Sequence, residues 1–265
     1  MTFLHSIILG IIEGITEFLP ISSTGHLILT SHLLQIPETT LLKSFEIIVQ
    51  LGAILAVIIV YWKKLWNLEM IKKLIVAFIP TGIIGLALYK IVKTYLLGNL
   101  TVVLTSLFVG GIILIAFEKW YTKKQSKKIE EIHALLPPTE TISYKQAGLI
   151  GLFQSIAIIP GVSRSAATII GGLSLGLSRQ TIVEFSFLLA VPTMLAAGGF
   201  DLLKNHSLFT SDQIGVLAVG FITSFIVALG SIKFLLSYIR KHSFVSFGVY
   251  RIVLSVIFAL WLFTQ

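Results

Sequence analysis

Long apolar runs separated by short polar joints organise this chain. Thr94 to Phe117, Gln213 to Ile232, Phe185 to Phe200 and Ile47 to Trp62 carry no acidic or basic residue. The longest reach roughly 20 residues, the length at which a helix crosses about 30 Å of hydrocarbon. Lipid offers backbone N–H and C=O groups no partner, so each run must be helical. The pattern predicts six full spans, at about 44–62, 70–91, 95–118, 182–200, 213–236 and 244–264.

Two further apolar regions, 3–35 and 146–178, break near their centres. The first break runs from Leu19 to Gly25 (LPISSTG), the second from Pro160 to Ser165 (PGVSRS). Each half holds about 12–16 residues, too few to span. Two short helices around a polar break predict a re-entrant hairpin, with a single kinked span as the alternative. Sliding the chain by 141 positions aligns Gly10 with Gly151, Glu13 with Gln154, Ser22 with Ser163 and Thr24 with Ser165. The next spans also echo each other, Phe45-Glu46 before Leu51-Gly52 matching Val183-Glu184 before Leu189-Ala190.

This order predicts a duplication within one membrane domain, 1–265: repeat 1 at about 1–118, a linker at about 119–145, repeat 2 at about 146–265. A hairpin returns to its own side and three spans end on the other, so the second copy enters the membrane upside down. The expected fold class is all-α: a polytopic membrane protein with six transmembrane helices and two re-entrant hairpins in an inverted-topology repeat. Sites in such folds form where the broken elements meet.

Composition supports a membrane class. Hydrophobic residues make up 55% and charged residues 12%, about half the charge a soluble surface needs. Mean hydropathy is +0.95. The net charge of +8 comes from lysines and arginines between apolar runs: Lys63, Lys64, Lys72 and Lys73 in one joint, Lys119 to Lys145 in another, Arg240 and Lys241 in a third. That is the positive-inside pattern, which makes these joints cytoplasmic, turns both termini outward and argues against a nucleic-acid partner. Without cysteine there is no disulfide or thiol chemistry. Glu13 and Glu17 within the first apolar run are foreign to a cleavable leader.

Ionisable residues at membrane depth cost several kcal/mol and mark function by default. Here they are Glu13, Glu17, His26, Glu46, Arg164, Glu184 and Arg251. Glu13 and Glu17 share a helix face and repel unless a cation, a divalent metal or a shared proton lies between them. Around Arg164, the hydroxyls of Ser163, Ser165 and Thr168 sit beside the free N–H groups of a new helix, and the guanidinium adds a fork suited to phosphate oxygens. In the first break, Ser22 and Ser23 precede His26, a potential nucleophile and base, or else a helix cap. Glu46 and Glu184 occupy equivalent positions and suit bracing as well as direct roles. His5 and His32 sit near segment ends and carry no assigned role.

The runs Glu13–His26 (EGITEFLPISSTGH), Pro160–Thr168 (PGVSRSAAT) and Glu184–Pro192 (EFSFLLAVP), with Phe45-Glu46 and Gln50-Leu51-Gly52, closely resemble the bacterial undecaprenyl pyrophosphate phosphatases, or bacitracin resistance proteins. The resemblance extends from end to end. It implies hydrolysis of undecaprenyl pyrophosphate to undecaprenyl phosphate and inorganic phosphate, recycling the lipid carrier of peptidoglycan synthesis at the outer face of the plasma (inner) membrane. It places the family's glutamates on Glu13 and Glu17, its serine and histidine on Ser23 and His26, its phosphate motif on Ser163, Arg164, Ser165 and Thr168, and its late arginine on Arg251.

On that footing Ser23 is the expected nucleophile, with His26 relaying its proton and Glu17 orienting Arg164 or His26. Ser22 and Arg251 join the substrate site, and Glu13 and Glu17 hold a divalent cation, Mg2+ or Ca2+. A metal-activated water in place of Ser23 is the alternative attacker. The expected partners are the prenyl pyrophosphate and membrane lipid, and a homodimer is compatible with the sequence. The competing function is a transporter or polyprenyl-phosphate flippase, since inverted repeats with broken helices also build transporters.

Overall fold

The computed structural model describes residues 1–96, 98–131, 141–205 and 211–264. Among them the chain is all-helical. Ten α-helices follow in order: α1 Phe3–Thr16, α2 Ser23–Leu33, α3 Thr40–Leu65, α4 Leu68–Ile91, α5 Leu100–Glu131, α6 Tyr144–Ser155, α7 Arg164–Ser174, α8 Arg179–Asn205, α9 Ser211–Tyr238 and α10 Val245–Phe263. A π-helical turn, Val92–Leu96, extends α4, and a 3-10 turn, Ile156–Ile158, extends α6. Helix starts follow side chains that cap them. Thr2, Thr39 and Asn67 accept from the N–H groups of His5, Leu42 and Met70, and Ser143 forms a reciprocal capping box with Gln146.

Six helices are long and apolar enough to cross a membrane: Thr40–Leu65, Leu68–Ile91, Leu100–Lys124, Arg179–Gly199, Gln213–Tyr238 and Val245–Phe263. They match the six predicted spans. Their outward faces are apolar: Ile75, Ile79 and Ile83 on α4, Ile222 and Ile226 on α9, and Val253, Ile257 and Leu260 on α10 are all exposed. Water would not wet such stripes at helical spacing; lipid does. α3 and α8 are the most buried spans and pack against each other at the centre.

The predicted linker begins differently. α5 continues to Glu131, so the segment from Lys119 onward leaves the last apolar turn as helix. No Pro or Gly interrupts it before Pro137, so nothing stops the helix where hydropathy falls. The rest of that linker, 132–140 with Pro137 and Pro138, lies outside the described residues.

Helix starts recur across the two halves. α1 and α6 begin 141 residues apart, as do α2 and α7, the offset that aligns the sequence. α1 packs back on α2 and α6 on α7, so each pair folds as a hairpin of two short helices. The halves also exchange partners: α1 packs on α9 of the second half, and α6 on α4 of the first. Both contacts are very close. A Cβ on Gly10 would press on the Gly220 carbonyl, and one on the equivalent Gly151 would press on the Ala77 carbonyl. Without a hydrophobic drive between helices in lipid, backbone approach of this kind supplies the packing.

Candidate functional site

Both hairpin tips come to one place. In the first, Ser22 takes φ 73° and ψ 93°, a conformation costly for a residue with a Cβ. Its hydroxyl caps α2 by accepting from Gly25 N–H at 3.4 Å. In the second, Gly161 has φ +88°, and Ser163 caps α7 by accepting from Ala166 N–H at 3.2 Å. A cavity of about 190 Å³ lies between them, lined by Ser22, Ser23 and Thr24 from one helix start and by Val162, Ser163 and Arg164 from the other. Two helix N-termini with free first-turn N–H groups therefore converge on one space, which favours an anion there.

Glu17, at the end of α1, joins the two tips. One carboxylate oxygen accepts from Ser23 Oγ at 2.5 Å, the other from Arg164 Nη2 at 2.9 Å. Arg164 Nη1 donates to the Ser186 carbonyl at 2.6 Å, while its Nε is buried without a hydrogen-bond partner. The guanidinium is thus held by its ends, with one donor still to be satisfied. Neutral polar groups complete the wall. Gln154 Nε2 donates to the hydroxyls of Thr81, at 3.0 Å, and Thr193, at 3.2 Å, each next to a proline inside its helix, Pro80 and Pro192. Gln50 also lines the cavity, and Ala157, Ile158, Val162, Met194 and Ala197 give it an apolar side.

The sequence-predicted residues divide into four groups, the last of them Glu13 alone. Glu17, Ser22, Ser23, Ser163 and Arg164 line the cavity. Ser165 and Thr168 do not. Ser165 Oγ donates to the Phe18 carbonyl at 3.1 Å, and Thr168 Oγ1 is bonded to Ser186 Oγ at 2.7 Å and to the carbonyls of Arg164 and Ser165. One helical turn apart, both face the packed side of α7, where they lock the second tip to the first hairpin and to α8.

His26 and Arg251 are the third group, and each is placed differently from expectation. His26 does not reach Ser23: its Nδ1 lies 2.7 Å from the Ser22 carbonyl and its Nε2 2.8 Å from the Tyr250 hydroxyl. The residue that does reach Ser23 Oγ is Glu17. Arg251 is 1% exposed. It donates to the carbonyls of Leu107 at 3.3 Å, Pro20 at 3.4 Å, Ser106 at 3.0 Å and Gly161 at 3.1 Å. It pins both tips to α5, and Gly110 leaves the room its guanidinium fills.

Glu13 lies a turn before Glu17, fully buried, with neither carboxylate oxygen hydrogen-bonded. Among the described residues no group of three or more His, Cys, Asp or Glu side chains is placed to hold a metal. Of the remaining membrane carboxylates, Glu184 pairs with Lys64, bracing α8 to α3, and accepts from Gln180. Gln50, Thr81, Gln154, Ser186, Thr193 and Tyr250 were not singled out from sequence. Gln50 and Ser186 lie in runs that carried the family resemblance, and Gln154 aligned with Glu13 at the 141-residue offset.

The family model described as bacitracin resistance protein BacA matches residues 6–257. Curated relatives named undecaprenyl-diphosphatase are similar over the whole chain. That of Sulfurihydrogenibium sp. is 51% identical over 261 residues, covering 98% of this chain and 100% of the relative. That of Aquifex aeolicus is 51% identical over 260 residues, 98% of each. That of Bdellovibrio bacteriovorus is 46% identical over 267 residues, covering 100% of this chain and 97% of the relative.

Proposed function

Since this chain belongs to the bacitracin resistance protein BacA family, we propose that the cavity between its two hairpin tips is where it hydrolyses undecaprenyl pyrophosphate. The enzyme is an undecaprenyl-diphosphatase, releasing undecaprenyl phosphate and inorganic phosphate. The observation that carries the assignment is Glu17, bonded at once to the Ser23 hydroxyl and to Arg164 beside two helix N-termini. The transporter reading accounts for the anion-binding elements but not for a serine hydroxyl held on a carboxylate.

The diphosphate lies between the α2 and α7 starts, and the prenyl chain leaves past the apolar side of the cavity into lipid. Charge on the phosphoryl oxygens is met by first-turn N–H groups and by Arg164, which lines the cavity beside Glu17. Ser23 Oγ attacks the terminal phosphorus as its proton passes to Glu17. The new Oγ–P bond forms as the bond from phosphorus to the bridging oxygen breaks, and undecaprenyl phosphate departs. Glu17 gives that proton to the departing undecaprenyl phosphate, then takes one from the water that attacks the phosphoserine and returns it to Ser23 Oγ as the Oγ–P bond breaks, which releases inorganic phosphate.

The orphaned oxygens of Glu13, beside Glu17, would hold a Mg2+ or Ca2+ ion, which would supply positive charge against the phosphoryl oxygens; metal titration of Glu13→Gln against the parent tests this. Arg251, bonded only to carbonyls, serves as the pin of both tips and adds positive potential behind them.

Arg164→Lys tests the anion site. Lysine keeps the charge but cannot bridge Glu17 and Ser186 while still offering a donor to phosphate. Turnover should fall at least about tenfold, and further in Arg164→Ala. Near-parental turnover in the lysine variant would make Arg164 structural.

The halves are proposed to lie inverted in a bacterial inner membrane with the cavity open outward, which the lysine-rich joints and the exchanged helix partners support. A cysteine at Leu208 should then react with a membrane-impermeant thiol reagent on intact cells, and one at Ser126 should not. Equal labelling of the two would sink this orientation.

A further inference from the structure

The Tyr250 hydroxyl, 2.8 Å from His26 Nε2, has no part in the chemistry above. Tyr250 lies on α10, 43% exposed, with its ring stacked on the imidazole at 5.5 Å and 4°. Tyr250 precedes Arg251 inside a membrane-length apolar helix, where lipid gives a hydroxyl no partner, and its hydroxyl turns inward to the histidine.

Hydrogen-bond chemistry fixes what it does there. The Ser22 carbonyl can only accept, so the His26 Nδ1 that faces it at 2.7 Å carries a proton. In the neutral ring Nε2 is then a bare acceptor, and the Tyr250 O–H is the donor that fills it. The same Ser22 carbonyl also accepts the His26 backbone N–H at 3.2 Å. Two bonds from one histidine therefore hold the residue whose φ of 73° is costly. That residue caps α2 and directly precedes Ser23.

We propose that Tyr250 is a positioning residue for hydrolysis: by donating to His26 Nε2 it fixes the Nδ1–H tautomer, holds the strained Ser22 turn, and so aims Ser23 at Glu17. The role rests on the reading of Ser23 as the attacking group. It explains why a histidine three residues after Ser23 does not touch it: His26 shapes the turn, and Glu17 handles the proton.

Full-length protein labelled with 15N-histidine in detergent provides the test, with His26→Gln identifying the resonance. Wild-type His26 should show a protonated Nδ1 and a hydrogen-bonded, unprotonated Nε2. Tyr250→Phe removes one oxygen and should shift Nε2 toward a free acceptor or the other tautomer. On undecaprenyl pyrophosphate its kcat should fall about tenfold, the loss of one hydrogen bond, with KM within about twofold. Added to His26→Gln, it should cost nothing further, because the tyrosine acts through the histidine.

A wild-type proton on Nε2, an unchanged kcat in Tyr250→Phe, or fully additive losses in the double variant would each overturn the proposal. The nitrogen shifts do not depend on which group attacks phosphorus. A failure of the serine mechanism is thus distinguishable from a failure of the tyrosine–histidine bond.

Discussion

Glu17→Gln should lower phosphate release from undecaprenyl pyrophosphate by about a thousandfold or more, combining loss of a general base with a weakened hold on the Arg164 cation. The substitution preserves shape almost completely, so the effect lies in hydrogen-bond polarity. One carboxylate oxygen accepts from Ser23 and the other from Arg164. A glutamine presents one oxygen and one NH2 group, and the NH2 must face either a hydroxyl that donates or a guanidinium that only donates. With its oxygen toward Arg164 the amide keeps only an uncharged hold on the guanidinium, and its NH2 then donates to Ser23 Oγ, so the hydroxyl proton no longer rests on a base. The amide also accepts no proton at neutral pH, so Ser23 keeps its own. Turnover measured on purified variant in detergent checks this, alongside a melting curve to confirm folding. A loss smaller than about tenfold would mean that Glu17 neither takes the proton nor sets Arg164.

The second large effect concerns stability. Arg251→Ala should lower the melting temperature in detergent by about 10–20 °C, from roughly 3–6 kcal/mol of lost stability. Four backbone carbonyls depend on this guanidinium, and those of Pro20 and Gly161 lie in the hairpin breaks, outside the helical hydrogen-bond ladders. Alanine leaves these breaks without their donor at a depth where water is scarce. It also frees the two tips from each other, so activity should fall with stability. An Arg251→Ala protein that melts within about 3 °C of the parent yet is inactive would instead make Arg251 a direct contact of the substrate.

The spans were legible because lipid demands uninterrupted apolar helix and the charges obey it. The two helix breaks were legible because Pro20, Gly25, Pro160 and Gly161 sit where apolar runs too short to span would otherwise be joined. The end of α5 was not, since lysines that leave the membrane on a helix look the same in sequence as lysines in a loop.

Within the site, charge at depth singled out Glu17, Arg164 and Arg251, but charge carries no direction. Sequence spacing put His26 within reach of Ser23; the positive φ at Ser22 turns the imidazole to the Ser22 carbonyl instead. Ser165 and Thr168 belong to the same motif as Ser163, yet helical geometry turns them toward Phe18 and Ser186. Thr81, Thr193 and Tyr250 gave no signal, because neutral polar residues are common in membrane helices and only tertiary packing brings the threonines to the cavity and the tyrosine to His26.

The most direct measurement is a rapid quench of the enzyme with undecaprenyl pyrophosphate labelled in its terminal phosphate, followed by mapping of any protein-bound label. If Ser23 attacks phosphorus, label appears on Ser23 within one turnover, and Ser23→Ala carries none and loses more than about a thousandfold in rate. If water attacks, the same substitution removes one hydrogen bond worth about 1–3 kcal/mol, a roughly ten- to hundredfold loss. Turnover of Ser23→Ala within about a hundredfold of wild type, with no label on the wild-type serine, would contradict the account.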